Sequence, residues 1–559
     1  MKRKLFLILC GIMIAIIFGT SAYLVISQNS DDTTDTGMSE DDEENYETIV
    51  NTVYNVEAQA EIMEELEEEK EDGNYTEENM LVEYNPFGTN SQSLYVYFET
   101  DEGAKVTYTV SVNDDDIADF SREVEQDEEY ETVHEFQVIG LIPDVKNTVT
   151  FTITFEDGYV GAYKTTITPD SLLGDEELQL EKTDYIQDTD EESETSETEA
   201  EESETESTEA STADLEDGLY VILGNGNSEG LNFMYYYDND GVLRSEIPII
   251  EYRSHRLLFD ETDDSMLFSI SYTQIARMND LGQITEIYDL GDYKLHHDYV
   301  YDDDGNMLIL ATDTNQETKQ DIVILLDLES GEVSEIIDFG DYFTEYKDEC
   351  VARTEEDELT DWFHLNCIQY IGDDSILLSS RETSTIVKVS NIYDDPEIEY
   401  LIGSEELWEE IGYADLVLEQ VGDFTLQGGQ HCITYVEDDT LEDGQYYLYM
   451  FNNNIGISES NPDFDWSSIG LTEDSSADGD TSYYYEYLVD ENEGTFTLVD
   501  SFEVPYSGYV SSVQNIGSNT VVDSGAQGIF SEYDEDHNLI ASFKMDTDVF
   551  IYRVFKYDF

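Results

Sequence analysis

The chain has 559 residues, with 133 Asp+Glu against 22 Lys+Arg and a formal net charge of −111. A surface this acidic excludes general binding to nucleic-acid phosphate, which needs neutralising Lys and Arg. It suits a protein exported into a salty medium, where charge is screened beyond about 8–10 Å, so a local cationic pocket remains open.

Residues 1–4, Met-Lys-Arg-Lys, are basic, and residues 5–26 carry no charge. That span is long enough to cross a bilayer, and the basic flank places the remainder of the chain outside the cell. The expectation is a single-pass anchor over 1–27 with an extracellular body. The alternative is a cleaved leader and a secreted protein, since Thr20-Ser21-Ala22 offers small residues for cleavage. Residues 28–80 read as an acidic, disordered spacer. A helix over 61–71 is opposed by like charges at i,i+4.

Residues 81–171 alternate with period 2. Leu94, Val96 and Phe98 share one face of a strand, Val106, Tyr108 and Val110 a face of the next, and Val149, Phe151, Ile153 and Phe155 a face of a third. With the turn Gly140-Leu141-Ile142-Pro143-Asp144, this predicts a small β-sandwich of immunoglobulin or fibronectin type. Its one histidine, His134, reads as structural. Residues 172–217, including Glu191-Glu192-Ser193-Glu194, form a second acidic linker that cannot bury a core.

From 218 to 559 one element recurs, a strand, an Asp/Asn/Gly turn and a strand. The turns are Asp238-Asn239-Asp240-Gly241, Asn279-Asp280-Leu281-Gly282, Asp327 to Gly331, Asp394-Asp395-Pro396, Asp490 to Gly494, and Asp534 to His537. A second series opens apolar strands at Met266, Met307, Ile376, Tyr446 and Thr520. About six such units predict a six-bladed β-propeller. The whole is thus read as all-β, with a small sandwich domain ahead of the propeller, an N-terminal transmembrane segment and acidic linkers.

The candidate chemistry lies in four stretches of this last region: Leu295-His296-His297-Asp298, Trp362-Phe363-His364-Leu365-Asn366, Ser379-Ser380-Arg381 and Gly429-Gln430-His431-Cys432. The chain has only 7 histidines, so their concentration here is informative. A propeller axis brings together residues remote along the chain. Strand alternation lets only one of His296 and His297 reach it. Gly428-Gly429 permits an unusual backbone before His431. Cys350, Cys367 and Cys432 are odd in number and leave disulfide pairing open, and no Cys/His spacing suits a metal. Asp302-Asp303-Asp304-Gly305-Asn306 faintly suggests Ca²⁺ but reads better as a hairpin turn. Tyr235-Tyr236-Tyr237 and Tyr483-Tyr484-Tyr485 read as strand residues with surface tips, or as the wall of an aryl funnel. The stretch Tyr506 to Ser512 offers hydroxyls without an assigned role. His255 and His537 read as structural.

In their order, the four stretches resemble the bacterial arylsulfate sulfotransferases that do not use phosphoadenosine phosphosulfate. Asn85-Pro86-Phe87-Gly88-Thr89-Asn90 and Gly140-Leu141-Ile142-Pro143 resemble the small sandwich preceding the propeller in that family. The resemblance implies ping-pong transfer of a sulfuryl group from a phenolic sulfate donor to a phenolic acceptor through a sulfohistidine. It implies His431 as nucleophile, with His364, Asn366, Arg381 and His296 or His297 lining the sulfuryl site. The chemistry calls for no nucleotide, metal or other cofactor. Nearby carboxylates favour protonated imidazole, so the nucleophile is expected to need alkaline conditions. The rival reading is a catalytically silent cell-surface propeller that acts in binding or adhesion.

Overall fold

The computed structural model describes residues 45–126, 128–174, 176–183, 211, 213–224, 231–260, 262–352, 359–456, 458–471, 481–547 and 549–559. The apolar run over 5–26, the first part of the spacer and most of the linker over 172–217 lie outside them. Among the described residues no helix is long and apolar enough to cross a membrane.

The described part of the 28–80 spacer is ordered, which corrects the reading made from its charge. A helix covers Val56–Asp72, capped by Asn55, whose side chain accepts from the Ala58 N–H. Its inner face carries Leu66 and the fully buried Gln59. Gln59 Nε2 donates to the carbonyls of Thr52 and Phe87, and its Oε1 accepts from the Ile284 N–H. Lys70 pairs with Glu135 at 2.9 Å. Like-charge repulsion along the exposed face is outweighed by contacts that a local reading does not contain.

Within 81–171 the expected alternation holds, since Leu94, Val96, Phe98, Val106, Tyr108, Val110, Val149, Phe151 and Ile153 are all buried. The first two expected strands are, however, one continuous strand, Leu94–Ser111. Its residues 94–99 pair with Glu131–Val138 and its residues 104–111 with Asn147–Phe155. The register breaks between Glu99 and Ala104, at the acidic turn-like sequence Asp101-Glu102-Gly103. One strand thus serves two layers, and the six-stranded sheet doubles over its own core. His134 is buried there against Phe98, with ring centroids 4.6 Å apart, as a structural residue would be.

Beyond the sandwich, the described residues form six further sheets of four or five strands. The Asp/Asn/Gly turns singled out in the sequence are the outer hairpins of these six sheets, and the second series opens the second strand of five of them. Many strands are buried on both faces, as stacked sheets require; Leu219–Ile222 and Ile376–Ser380 are buried throughout. The tyrosine runs are buried in this way rather than tipped outward, since Tyr235, Tyr236, Tyr237, Tyr484 and Tyr485 are all buried.

Polar contacts link one edge of each sheet to the next. Arg553 donates to the His255 carbonyl, and Arg256 and Arg553 both pair with Asp298. Asp298 accepts from Cys367 Sγ and the Ile368 N–H, Asn366 Nδ2 donates to the Gln430 carbonyl, and Cys432 Sγ donates to that of Val513. Ser512 Oγ then donates to the Val554 carbonyl, which returns the series to the sheet holding Arg553. This last sheet joins Leu219–Ile222 to Val554–Tyr557, the first and last of its strands in chain order. A buried Lys556–Glu532 pair at 2.8 Å ties it to the sixth sheet.

The ends of the 172–217 linker are likewise packed. Glu246 accepts from the N–H groups of Leu173 and Gly174, Leu180 is buried, and Glu181–Lys182 adds a fifth strand to the sixth sheet.

Candidate active site

The four stretches converge. The rings of His297 and His364 lie 4.7 Å apart, and those of His296 and His297 5.1 Å apart. Arg381 and His364 both bear on His431 electrostatically. The Arg381 N–H donates to the His364 carbonyl, which fixes these two residues side by side.

Local backbone accounts for how the side chains are presented. His297, His364 and Cys432 have left-handed backbones, with φ of 59°, 50° and 53°. The strands carrying them break register at Leu295/Tyr299, Leu365/Cys367 and His431/Thr434. Such bulges re-aim side chains, and each left-handed non-glycine residue costs about 1–3 kcal/mol that its surroundings must offset. At Leu295/Tyr299 the bulge also overrides strand alternation. His296 and His297 both turn into the cluster, with their Nδ1 atoms 3.0 Å apart and sharing one proton. The expectation that only one of them would reach the site is therefore corrected. Gly429, at φ 59°, is needed as glycine, since a Cβ there would come within 2.8 Å of Ile455 Cγ2.

His431 is buried at 3% exposure, and its Nδ1 lies 2.8 Å from Asn453 Oδ1. Asn453 cannot turn over, because its Nδ2 donates to the carbonyls of Ser507 and Val510. His431 therefore carries its proton on Nδ1 and its lone pair on Nε2. The 506–512 stretch, unassigned from sequence, acts here through carbonyls rather than hydroxyls. Burial above all, aided by the Arg381 and Arg553 charges, lowers the His431 pKa to about 3 against the opposing pull of Asn453. The expectation of an alkaline requirement is thus overturned, because the nearest charges on His431 are cationic. His296 is lowered to about 3, chiefly by burial, and His297 and His364 fall well below the ordinary histidine value for the same reason.

His364 Nδ1 donates to Asp361 Oδ2 at 2.6 Å, which leaves its lone pair on Nε2. Arg381 Nη2 donates to Glu382 at 2.6 Å, and its side chain keeps a quarter of its exposure. Glu382 in turn accepts from Ser458, Glu459 and Ser460. Asn366 Nδ2 spends one of its two N–H groups on the Gln430 carbonyl at 2.8 Å, beside His431. It braces the strand that carries His431. Asp298 does not pair with His297. Burial would raise its carboxyl, but Arg256 and Arg553 hold it well below the usual range.

Three participants were missed in the sequence. His255, read as structural, is fully buried, stands 5.6 Å from Tyr552 ring to ring, and shares electrostatic coupling with His296 and His297. Asn453 lies 22 residues beyond His431, with no local signal to connect them. Arg253 stacks on Tyr552, whose hydroxyl donates to the His297 carbonyl. The only advance signal was the density of the stretch Tyr252-Arg253-Ser254-His255-Arg256 in cations.

Cys350, Cys367 and Cys432 are free thiols. Burial raises the Cys432 thiol, which suits a packing role beside the histidine. Asp302 accepts from the N–H groups of Asp304 and Asn306 and closes a hairpin turn. His537 lies away from the cluster, 3.0 Å from Asp500.

The family model for arylsulfotransferase (ASST) matches residues 204–553, and that for the arylsulfotransferase Ig-like domain matches residues 81–171. No curated protein matches the chain. Among solved structures, the chain is similar to a protein of unknown function from Bacteroides caccae at 10% identity, over 60% of this chain and 98% of that one, with a TM-score of 0.36. It is also similar to a putative 6-phosphogluconolactonase from Bacteroides fragilis at 10% identity, over 81% and 98%, with a TM-score of 0.33.

Proposed function

The chain belongs to the arylsulfotransferase family, and from that premise we propose that it transfers a sulfuryl group between phenols by a ping-pong mechanism through a sulfohistidine at His431. The observation that carries the reading is the fixed tautomer of His431, with Nδ1–H held by Asn453 and a neutral lone pair on Nε2. A nucleophile for an anionic ester needs that lone pair without a competing proton.

In the first half, Nε2 attacks sulfur, the S–O(aryl) bond breaks, and the electron pair leaves on the phenolate. Phenolates leave more readily than alkoxides, since phenols ionise near pKa ~10. Arg381 supports the charge on the equatorial oxygens. In the second half, the acceptor phenol gives its proton to Nε2 of His364, which Asp361 orients, and its oxygen attacks sulfur. The N–S bond then breaks and returns its electron pair to Nε2 of His431, and His364, a weak base once buried, releases the proton to solvent, where it balances the phenolate freed in the first half. His255, His296 and His297 complete the wall, and Asn366 braces the Gln430 carbonyl with one amide N–H and offers the other to a sulfuryl oxygen. The six sheets, joined edge to edge in a closed series of polar contacts, are read as blades of one propeller around this site. The basic residues 1–4 and the apolar run after them support an outward-facing, membrane-anchored enzyme.

The test is brief exposure to an aryl sulfate without acceptor, followed by peptide mass spectrometry. One sulfuryl group is expected on His431, and turnover with added phenol should vanish in His431→Ala. Label on another residue, or undiminished turnover in that variant, would remove the assignment.

A further inference from the structure

The site just described uses Arg381 as its cation, yet a second guanidinium stands in the cluster with no carboxylate partner. Arg253 is 7% exposed and makes no ion pair or hydrogen bond among the described residues, and its Nε is enclosed without a partner. This is anomalous in a chain with 133 carboxylates. The other buried or half-buried arginines of the six sheets each hold one: Arg244 with Asp238, Arg256 and Arg553 with Asp298, Arg277 with Asp260, and Arg381 with Glu382. A desolvated, unpaired guanidinium is costly, and an anionic ligand is what relieves that cost.

The surroundings of Arg253 define what it can take. Its guanidinium carbon lies 3.5 Å from the Tyr552 ring centre, 4.3 Å from that of Tyr252 and 5.7 Å from that of Phe550. Rings crowd around the guanidinium carbon, and the N–H groups are the part of it that an oxyanion can use. Tyr252 continues as a stack onto Tyr272, with centroids 4.5 Å apart at 17°, an apolar wall suited to an aryl group. Tyr552, on which Arg253 stacks, lies 5.6 Å ring to ring from His255 and 6.1 Å from His297 and donates its hydroxyl to the His297 carbonyl, so Arg253 stands on the His255–His297 side of the cluster, whereas His431 is held by Asn453. We take that side as the end facing away from Nε2 of His431. In an in-line displacement, that end receives the leaving oxygen.

We propose that Arg253 contacts the substrate and holds the aryl oxygen, of the departing phenolate in the first half and of the attacking acceptor in the second. The inference rests on the sulfuryl-transfer reading. As the S–O(aryl) bond breaks, its electron pair passes to the aryl oxygen, and the Arg253 N–H groups stabilise that charge without giving up a proton. Interactions made only as charge develops act on rate, and they matter most for phenols that carry the charge poorly.

The experiment compares phenyl sulfate with 4-nitrophenyl sulfate in the full chain, as wild type, Arg253→Met and Arg253→Lys. In Arg253→Met, kcat/KM should fall on the order of 100-fold for phenyl sulfate and less than about tenfold for 4-nitrophenyl sulfate. Arg253→Lys should recover part of the difference. Equal losses on both esters, or none, would overturn the role of Arg253 while leaving sulfuryl transfer in place. A wild type inert towards both esters would overturn the transfer reading and this inference with it. If Arg253→Met does not fold, wild type alone decides. Competitive inhibition by 4-nitrophenol should tighten as pH rises through that phenol's own pKa, and inhibition indifferent to its ionisation would overturn the proposal.

Discussion

A single amide decides the state of the proposed nucleophile. Asn453 spends both sides of its carboxamide, accepting from His431 and donating to the carbonyls of Ser507 and Val510, so it can present only oxygen to the imidazole. An aspartate there would draw a proton onto Nε2; asparagine orients the ring without that effect. Asn453→Ala should therefore lower kcat about 100-fold, the scale of a misplaced reacting group, and should also lower the melting temperature, because the Ser507 and Val510 carbonyls lose their donor. Because the His431 pKa is lowered to about 3, its lone pair persists above roughly pH 4. The profile of kcat/KM should accordingly lack an acid limb from His431 between pH 5 and 8; an acid limb near 6.5 in the rate at which donor alone labels His431 would contradict this.

At the scale of elements, legibility followed how local the determinants were. The six outer hairpins were readable because Asp, Asn and Gly turns carry their own instructions, as Asp534 shows by accepting from the N–H groups of Asp536 and Asn538. The bulges at His297 and Cys432 were not readable, since no residue type there announces a left-handed backbone. The helix Val56–Asp72 was misread because its charges are visible in sequence and its partners are not. Gln59 is the clearest of those partners, since it satisfies Thr52, Phe87 and Ile284 from a fully buried position. Gln59→Leu would leave three backbone groups unpaired at about 1–3 kcal/mol each. Urea unfolding should then show a loss of roughly 3 kcal/mol or more, and a loss below about 1 kcal/mol would mean that the helix is not docked as described.

For the whole molecule, the composition foretold acidity but not the sign of its pH response. An acid-rich surface suggests tolerance of low pH, yet the interior holds histidines neutral. His296 and His431 have pKa values near 3 in the fold, against an ordinary value of ~6.5 for an unfolded chain. Depressed values mean that the unfolded chain binds more protons, so stability is complete above pH ~6.5 and is lost as pH falls towards 3. Each such residue contributes ~1.4 kcal/mol per pH unit over that interval. Denaturation midpoints should drop between pH 6.5 and 4.5, with a shallower slope in His431→Gln; a flat response would contradict neutral burial. Sandwich, repeated sheets and most of the histidine cluster were legible because alternation, turn chemistry and ordered motifs survive without an alignment. Arg253, His255 and Asn453 were not, because their meaning depends on strands that meet only after the sheets close.

That closure has a consequence for synthesis. Tyr552 and Arg553, which brace His297 and Asp298, belong to a segment that emerges after all five of the other sheets have been translated. Until then the imidazoles lack the partners that aim them, and the nascent polypeptide has no working centre. Reactivity is thereby postponed until that last segment has been made and the sheets have closed.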